Sequence, residues 1–164
     1  MARAYGNVYV AQISMGANDA QPTKALLEAE AWPGVSLVVA YATCIAHGID
    51  MEKSMSHQKD AVKSGYWPLY RYQPSEVEGG QPFKLDSAKP TMAVKDFVAN
   101  ETRYAILQRT NPERAAELAE LAQADATERW HFYEQLAGIE QTVPHLGESD
   151  GETASAGASG SQEE

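Results

Sequence analysis

"NVYVAQISMGANDAQPTKALLEAEAWPGVSLVVAYA", residues 7–42, decides the fold. Residues 7–13 are rich in β-branched and aromatic side chains and predict a strand. "SMGAN", residues 14–18, is a loop of small residues. Asn18 or Asp19 then supplies a helix cap, and Pro22 is tolerated in the first helical turn. The helix continues through "TKALLEAEAW", with Leu26, Leu27 and Glu30 setting its faces. Pro33 and Gly34 stop it. "SLVVAYA", residues 36–42, predicts a second strand without polar alternation, as expected when both faces are covered. Strand, helix and apolar strand make a βαβ unit, so the two strands are expected to be parallel with a right-handed crossover. The fold class is α/β, built on a parallel sheet.

The rest of the chain extends this unit. Residues 50–65 predict a helix capped by Asp50 and ended by Gly65, with Met51, Met55, Gln58 and Val62 on one face. "YWPLYRYQP", residues 66–74, predicts a third strand, with Pro68 at an edge or near its start. Residues 74–92 read as an irregular connection and residues 93–109 as helix. Asn111-Pro112 is a sharp helix start, with asparagine as N-cap and proline at the first helical position. That helix runs to about Gly138 on a stripe of Leu118, Leu121, Ala122, Phe132 and Leu136. Asp125 and Arg129 interrupt the stripe as an i,i+4 pair. From Gly147 onward the composition is low-complexity and predicts disorder.

Charge narrows the function. Formal net charge is −10, and five acids, Glu148, Asp150, Glu152, Glu163 and Glu164, fall in the final stretch. With no Lys/Arg cluster to neutralise phosphates, nucleic acid is not an expected partner. The single cysteine, Cys44, excludes an intrachain disulfide. The N-terminus lacks the apolar core of a signal peptide, and no apolar run is long enough to span a bilayer, so no membrane contact and a reducing cytoplasm are expected.

Functional groups in parallel α/β sheets gather beyond the carboxyl ends of strands. "SMGAN" and "ATCIAHG", residues 42–48, both sit there. Gly16 and Gly48 would permit a close approach to the backbone or a positive φ. Bland readings stand beside this one. A lone cysteine after a strand is most often a small buried hydrophobe, and "SMGAN" alone could be a capping turn. His47 could lie near a functional group or be structural. His57, His131 and His145 have no partners at metal-ligand spacing and read as solvated. Tyr66, Trp67, Tyr70 and Tyr72 read as core or interface.

These strings carry a resemblance. "SMGAN", "YATCIAHG" and "SGYWPLYRY", in this order and with "FKLDS" after them, resemble the C-terminal end of pyruvate:ferredoxin (flavodoxin) oxidoreductase over residues 3 to 137. The resemblance implies the last portion of a thiamine-diphosphate-binding domain over residues 1–92, a C-terminal helical extension over 93–146 and a disordered tail over 147–164. It implies oxidative decarboxylation of pyruvate to acetyl-coenzyme A and carbon dioxide. Thiamine diphosphate, Mg2+ and [4Fe–4S] clusters are the cofactors, and ferredoxin or flavodoxin is the acceptor. Cys44 matches the family's ligand to the cluster nearest the thiamine. Ser14, Met15, Gly16, Ala17 and Asn18 are implied to lie near thiamine diphosphate or that cluster. No residue is assigned a catalytic role. The family's Gly-Asp-Gly metal motif and the other three cluster cysteines have no counterpart here. The chain is therefore expected to act with an N-terminal portion, in cis or as another subunit, in an enzyme that is a homodimer when complete. Thr43 replaces the family's usual proline and is expected to loosen the loop. A second class stays open, a free-standing subunit or interaction module using the sheet edge or the long C-terminal helix.

Overall fold

The computed structural model describes residues 2–74 and 79–140. Four strands, β1 (Tyr9–Ile13), β2 (Ser36–Ala40), β3 (Tyr70–Tyr72) and β4 (Phe83–Leu85), form one sheet in the order β2-β1-β3-β4. β1 and β2 are parallel, with Tyr9 opposite Ser36 and Ile13 opposite Ala40. The sheet as a whole is mixed, because β3 runs antiparallel to both β1 and β4. Among the described residues there are five α-helices: α1 (Ala20–Ala31), α2 (Ser54–Lys63), α3 (Val94–Val98), α4 (Thr102–Thr110) and α5 (Pro112–Ala137).

The core follows from the alternation of β1. Tyr9, Ala11 and Ile13 point to one side and bury against Ala25, Ala29 and Trp32 of the α1 region. Val10 points to the other, where Tyr70 and Phe83 meet Tyr133, Leu136 and Ala137 of α5. An ion network ties the sheet to α1. Arg71 on β3 reaches Asp86 with both Nε and Nη2 (2.8 Å each) and Glu28 with Nη1 (2.5 Å). Tyr9 donates to the other oxygen of Glu28 (3.1 Å).

Local signals placed most helix ends correctly. The Asn18 side chain accepts from the amides of Ala20 and Gln21, so Asn18 caps α1. The Asp50 side chain accepts from Glu52 N at the start of a short 3-10 turn, Met51–Lys53, that leads into α2. Asn111 accepts from Arg114 N, Pro112 opens α5, and Gly138 follows its end.

Burial departs from expectation in five places. β2 is the edge strand of the described sheet and is covered on one face only in part: Val38 packs toward α1, while Leu37 and Val39, and Val35 just before the strand, are exposed. α1 packs through Gln21, Pro22 and Ala25, while Leu26 and Leu27 face outward. α2 buries His57, Gln58 and Ala61, leaving Met51 and Met55 exposed. The stripe of α5 is Ala126, Trp130, Tyr133, Leu136 and Ala137; of the expected residues Leu136 is on it, while Leu118, Leu121 and Phe132 are exposed. Arg129 donates to the carbonyl of Tyr66 (3.3 Å) rather than serving Asp125.

Three element boundaries also differ. The third strand begins only at Tyr70, two residues beyond Pro68. The connection expected to be irregular contains β4. The helix expected over 93–109 is two helices, α3 and α4, parted at Asn100-Glu101. The tail from Gly147 lies outside the described residues, as does His145.

Candidate functional site

The parallel pairing of β1 and β2 brings the two small-residue loops side by side. Ile13 is opposite Ala40, and the pairing runs one step further as Tyr41 N donates to Ile13 O (3.0 Å). Ser14 to Asn18 leave from one strand end and Thr43 to Gly48 from the other.

The first loop is held by α2. Gln58 Oε1 accepts from Gly16 N (3.0 Å) and from Ser14 Oγ (3.2 Å). Ser14 is wholly buried, whereas Met15 and Asn18 are exposed. A Cβ on Gly16 would lie 2.6 Å from Met55 O and 2.8 Å from Gln58 Cβ. The close approach expected at Gly16 is thus made by the chain's own helix.

The second loop carries Cys44, which is exposed and in extended conformation (φ −129°, ψ 134°). A 3-10 turn, Ile45–His47, follows and closes at Gly48, whose φ of 70° is the left-handed region that favours glycine. The reading of Cys44 as a buried small residue does not hold in this structure. Thr43, expected to loosen the loop, instead ties it down: its Oγ1 lies 2.5 Å from Ser54 Oγ at the start of α2.

Behind this loop lies a polar network that the sequence reading did not find. His57 is buried, not solvated; its Nε2 lies 3.2 Å from Glu101 Oε1, and its ring stacks on Phe97 at 4.7 Å. Glu101, only 1% exposed, accepts from Arg103 Nε with its second oxygen (2.7 Å). Arg103 Nη1 reaches His47 Nε2 (3.3 Å), and Thr102 Oγ1 donates to Gly48 O (2.9 Å). The one sequence signal was polar Asn100-Glu101 inside a supposed helix. His131 pairs with Glu134 on the surface of α5.

The aromatic residues do not form one group. Tyr41 packs on Trp67, Tyr66 on Phe97, and Tyr70 on Phe83 and Tyr133. Burial pushes the Tyr41 phenol up to about 12, with Glu101 adding to the shift.

An iron–sulfur cubane takes four protein ligands. Among the described residues no group of three His, Cys, Asp or Glu side chains could hold a metal ion. Cys44 fits one ligand position, because its thiol is free and faces outward from an anchored loop. No helix among the described residues is long and apolar enough to cross a membrane.

No protein-family model matches the chain. Comparison with curated proteins is specific. A putative pyruvate-flavodoxin oxidoreductase of Synechocystis sp. is 54% identical over 138 residues, which is 84% of this chain and 12% of that protein. The chain is a homologue of one segment of the pyruvate oxidoreductases. The pyruvate-flavodoxin oxidoreductase of Klebsiella pneumoniae is 50% identical over 143 residues, covering 85% of this chain and 12% of that enzyme. A pyruvate:ferredoxin oxidoreductase of Moorella thermoacetica is 50% identical over 138 residues, with 84% and 12% covered. The chain therefore spans about an eighth of the length of the curated relatives it matches.

Proposed function

We propose that this chain works as part of a pyruvate:ferredoxin/flavodoxin oxidoreductase, which converts pyruvate and coenzyme A to acetyl-coenzyme A and carbon dioxide in the cytoplasm. The observation that carries the reading is 54% identity sustained over 138 residues to one segment of such an enzyme. Cys44 is the residue we assign to a [4Fe–4S] cluster. The cluster, when bound, supplies one-electron transfer between thiamine chemistry and ferredoxin or flavodoxin. Thiamine diphosphate and Mg2+ are held by residues of the remaining enzyme, with Ser14 to Asn18 near them or near the cluster. The assembled enzyme is a homodimer.

The chain's own residues have defined tasks in this reading. Gln58 fixes Ser14 and Gly16, so the end of β1 presents Met15 outward. Thr43 and Ser54 fix the entry to the Cys44 loop, and Gly48 closes it. β2 supplies the junction. Among the described residues no strand pairs with its outer edge, and Leu37 and Val39 are exposed, which isolated proteins avoid because such edges recruit other strands. The relatives are some eight times longer than the matched segment, and the remaining enzyme is the occupant we assign to this edge. The residues 1–92 are then the end of a thiamine-diphosphate-binding domain, and 93–146 a helical extension.

A chimera tests the reading. In the Klebsiella pneumoniae relative, the homologous segment is replaced by this chain, and Cys44→Ser is introduced. Serine is nearly isosteric but a harder, far less acidic ligand, so iron per enzyme is expected to fall by one cluster. Acceptor reduction is expected to fall roughly tenfold or more. Pyruvate-dependent carbon dioxide exchange, which precedes cluster reduction, persists. Unchanged iron and unchanged acceptor reduction would remove Cys44 from the cluster.

A further inference from the structure

The loop that carries Cys44 is gripped from behind by three consecutive residues at the start of α4. Glu101, Thr102 and Arg103 lie more than fifty residues downstream of the loop. Thr102 Oγ1 donates to Gly48 O at 2.9 Å, at the glycine that closes the loop. Arg103 Nη1 lies 3.3 Å from His47 Nε2, one residue earlier. Arg103 is itself held by Glu101, whose side chain is 2% exposed and whose other oxygen meets buried His57. A Cβ on Gly48 would lie 2.4 Å from both Cβ and Oγ1 of Thr102, so the two segments are in close contact.

We propose that Arg103 is a positioning residue which, with Thr102 and the buried Glu101, clamps the Cys44–Gly48 loop through His47 and Gly48. The chemistry of the contacts specifies the arrangement. A carboxylate buried with one oxygen facing a guanidinium and the other an imidazole holds both partners in place, because losing either would leave a desolvated charge without its partner. Glu101 therefore fixes the direction of Arg103 although Arg103 is 41% exposed. A guanidinium only donates, so in this contact His47 Nε2 accepts, which is the arrangement of the Nδ1–H tautomer. His57 faces a carboxylate and donates from Nε2. The clamp ties the helical extension to the loop after β2. Its consequence for electron transfer rests on the reading of Cys44 as a cluster ligand; the clamp itself does not.

Hydrogen exchange on the whole chain tests it. The loop's own bonds, His47 N to Cys44 O (3.0 Å) and Gly48 N to Ile45 O (2.9 Å), report its opening. Thr102→Val keeps the shape and removes the donor; Arg103→Gln removes the charge. Each is expected to speed exchange of the His47 and Gly48 amides roughly three- to tenfold, the worth of one modest hydrogen bond. Amides in β1 and α5 should be unaffected. Nitrogen NMR of His47 is expected to show the Nδ1–H tautomer in the wild type and a mixture in Arg103→Gln. Arg103→Lys keeps the charge beside Glu101 but loses the fork, and should restore stability without restoring the tautomer. Unchanged loop exchange in Thr102→Val, together with an unchanged His47 tautomer in Arg103→Gln, overturns the clamp. In the chimera, Arg103→Gln is expected to retain iron and shift the cluster's midpoint potential. If Cys44→Ser there retains iron, the ligand assignment fails, and the exchange result still decides the clamp.

Discussion

Replacing Gly16 with alanine separates two reasons for a glycine at the end of β1. One is room for a cofactor, which costs an isolated chain nothing to fill. The other is room for α2. The new Cβ would stand 2.6 Å from Met55 O, 2.8 Å from Gln58 Cβ and 2.9 Å from Met55 Cα. Two of these atoms are helix backbone, so no side-chain rotation relieves the contact and α2 must move. Overpacking of this kind costs about 1–3 kcal/mol. Movement of α2 also stretches the bond from Gly16 N to Gln58 Oε1, worth about 1 kcal/mol more. The expected total is about 2–4 kcal/mol, or a fall in Tm of about 4–16 °C for a domain of this size. Urea melts followed by far-ultraviolet circular dichroism measure it. Tryptophan fluorescence in a Trp32→Phe, Trp130→Phe background is a second probe, because the Trp67 indole N–H donates to Ile13 O beside the loop (3.0 Å). Met15→Ala is the control, since Met15 is exposed and its loss should cost little. A Gly16→Ala chain within about 0.5 kcal/mol of the wild type would refute the packing argument and return Gly16 to the cofactor reading.

Two further substitutions probe the polar interior. Arg71→Ala leaves Asp86 and Glu28 without their shared cation in a site where the arginine is 8% exposed, and is expected to cost about 3–5 kcal/mol by urea melt. Arg114→Ala, from an exposed pair with Glu117, should cost less than about 1 kcal/mol, and equal losses would contradict the burial argument. Tyr41 carries a phenol raised from 10 to about 12, so the folded state holds its proton more tightly than the unfolded state. That contribution is complete below pH 10 and is lost as pH rises toward 12. Tyr41→Phe should therefore make stability fall less steeply over this window, and an unaltered slope would show that the phenol titrates normally.

The βαβ unit was legible because it rests on local chemistry. The β-branched and aromatic residues of β1, the Asn18 cap and the Pro33-Gly34 stop each act within a few residues. The same holds for Asn111, Pro112 and Gly138 around α5. What was not legible depends on distant partners. β4 is three residues long and contains a lysine; it is a strand because Tyr70 pairs with Leu85 and Tyr72 with Phe83. The buried face of α2 was misread for the same reason. Hydrophobicity favours Met51 and Met55, but no element of the described chain covers them. His57 and Gln58 are buried because Glu101, Ser14 and Gly16, some forty residues away, satisfy their polar atoms. Exposure of β2 could not be foreseen either, because an apolar strand reads alike whether its neighbour belongs to the same segment or to another.

The Cys44 loop shows how a substitution can be compensated out of sight of the local sequence. Thr43 stands where the resembled family usually has proline, and loss of that ring frees the backbone by itself. The structure places a hydroxyl pair in its stead, Thr43 Oγ1 and Ser54 Oγ at 2.5 Å, joining the loop to the start of α2. If this pair replaces the rigidity of proline, the two side chains must be coupled rather than merely adjacent. A double-mutant cycle decides it. Thr43→Val and Ser54→Ala each remove one hydroxyl with little change of shape, and each alone strands its partner in a partly buried place. Each single change is expected to cost about 1 kcal/mol, and the double variant scarcely more, giving a coupling of about 0.5–1.5 kcal/mol. Strict additivity would mean that the hydroxyls are independently solvated, and the loop would then owe its shape to Gly48 and the Thr102–Arg103 contacts alone.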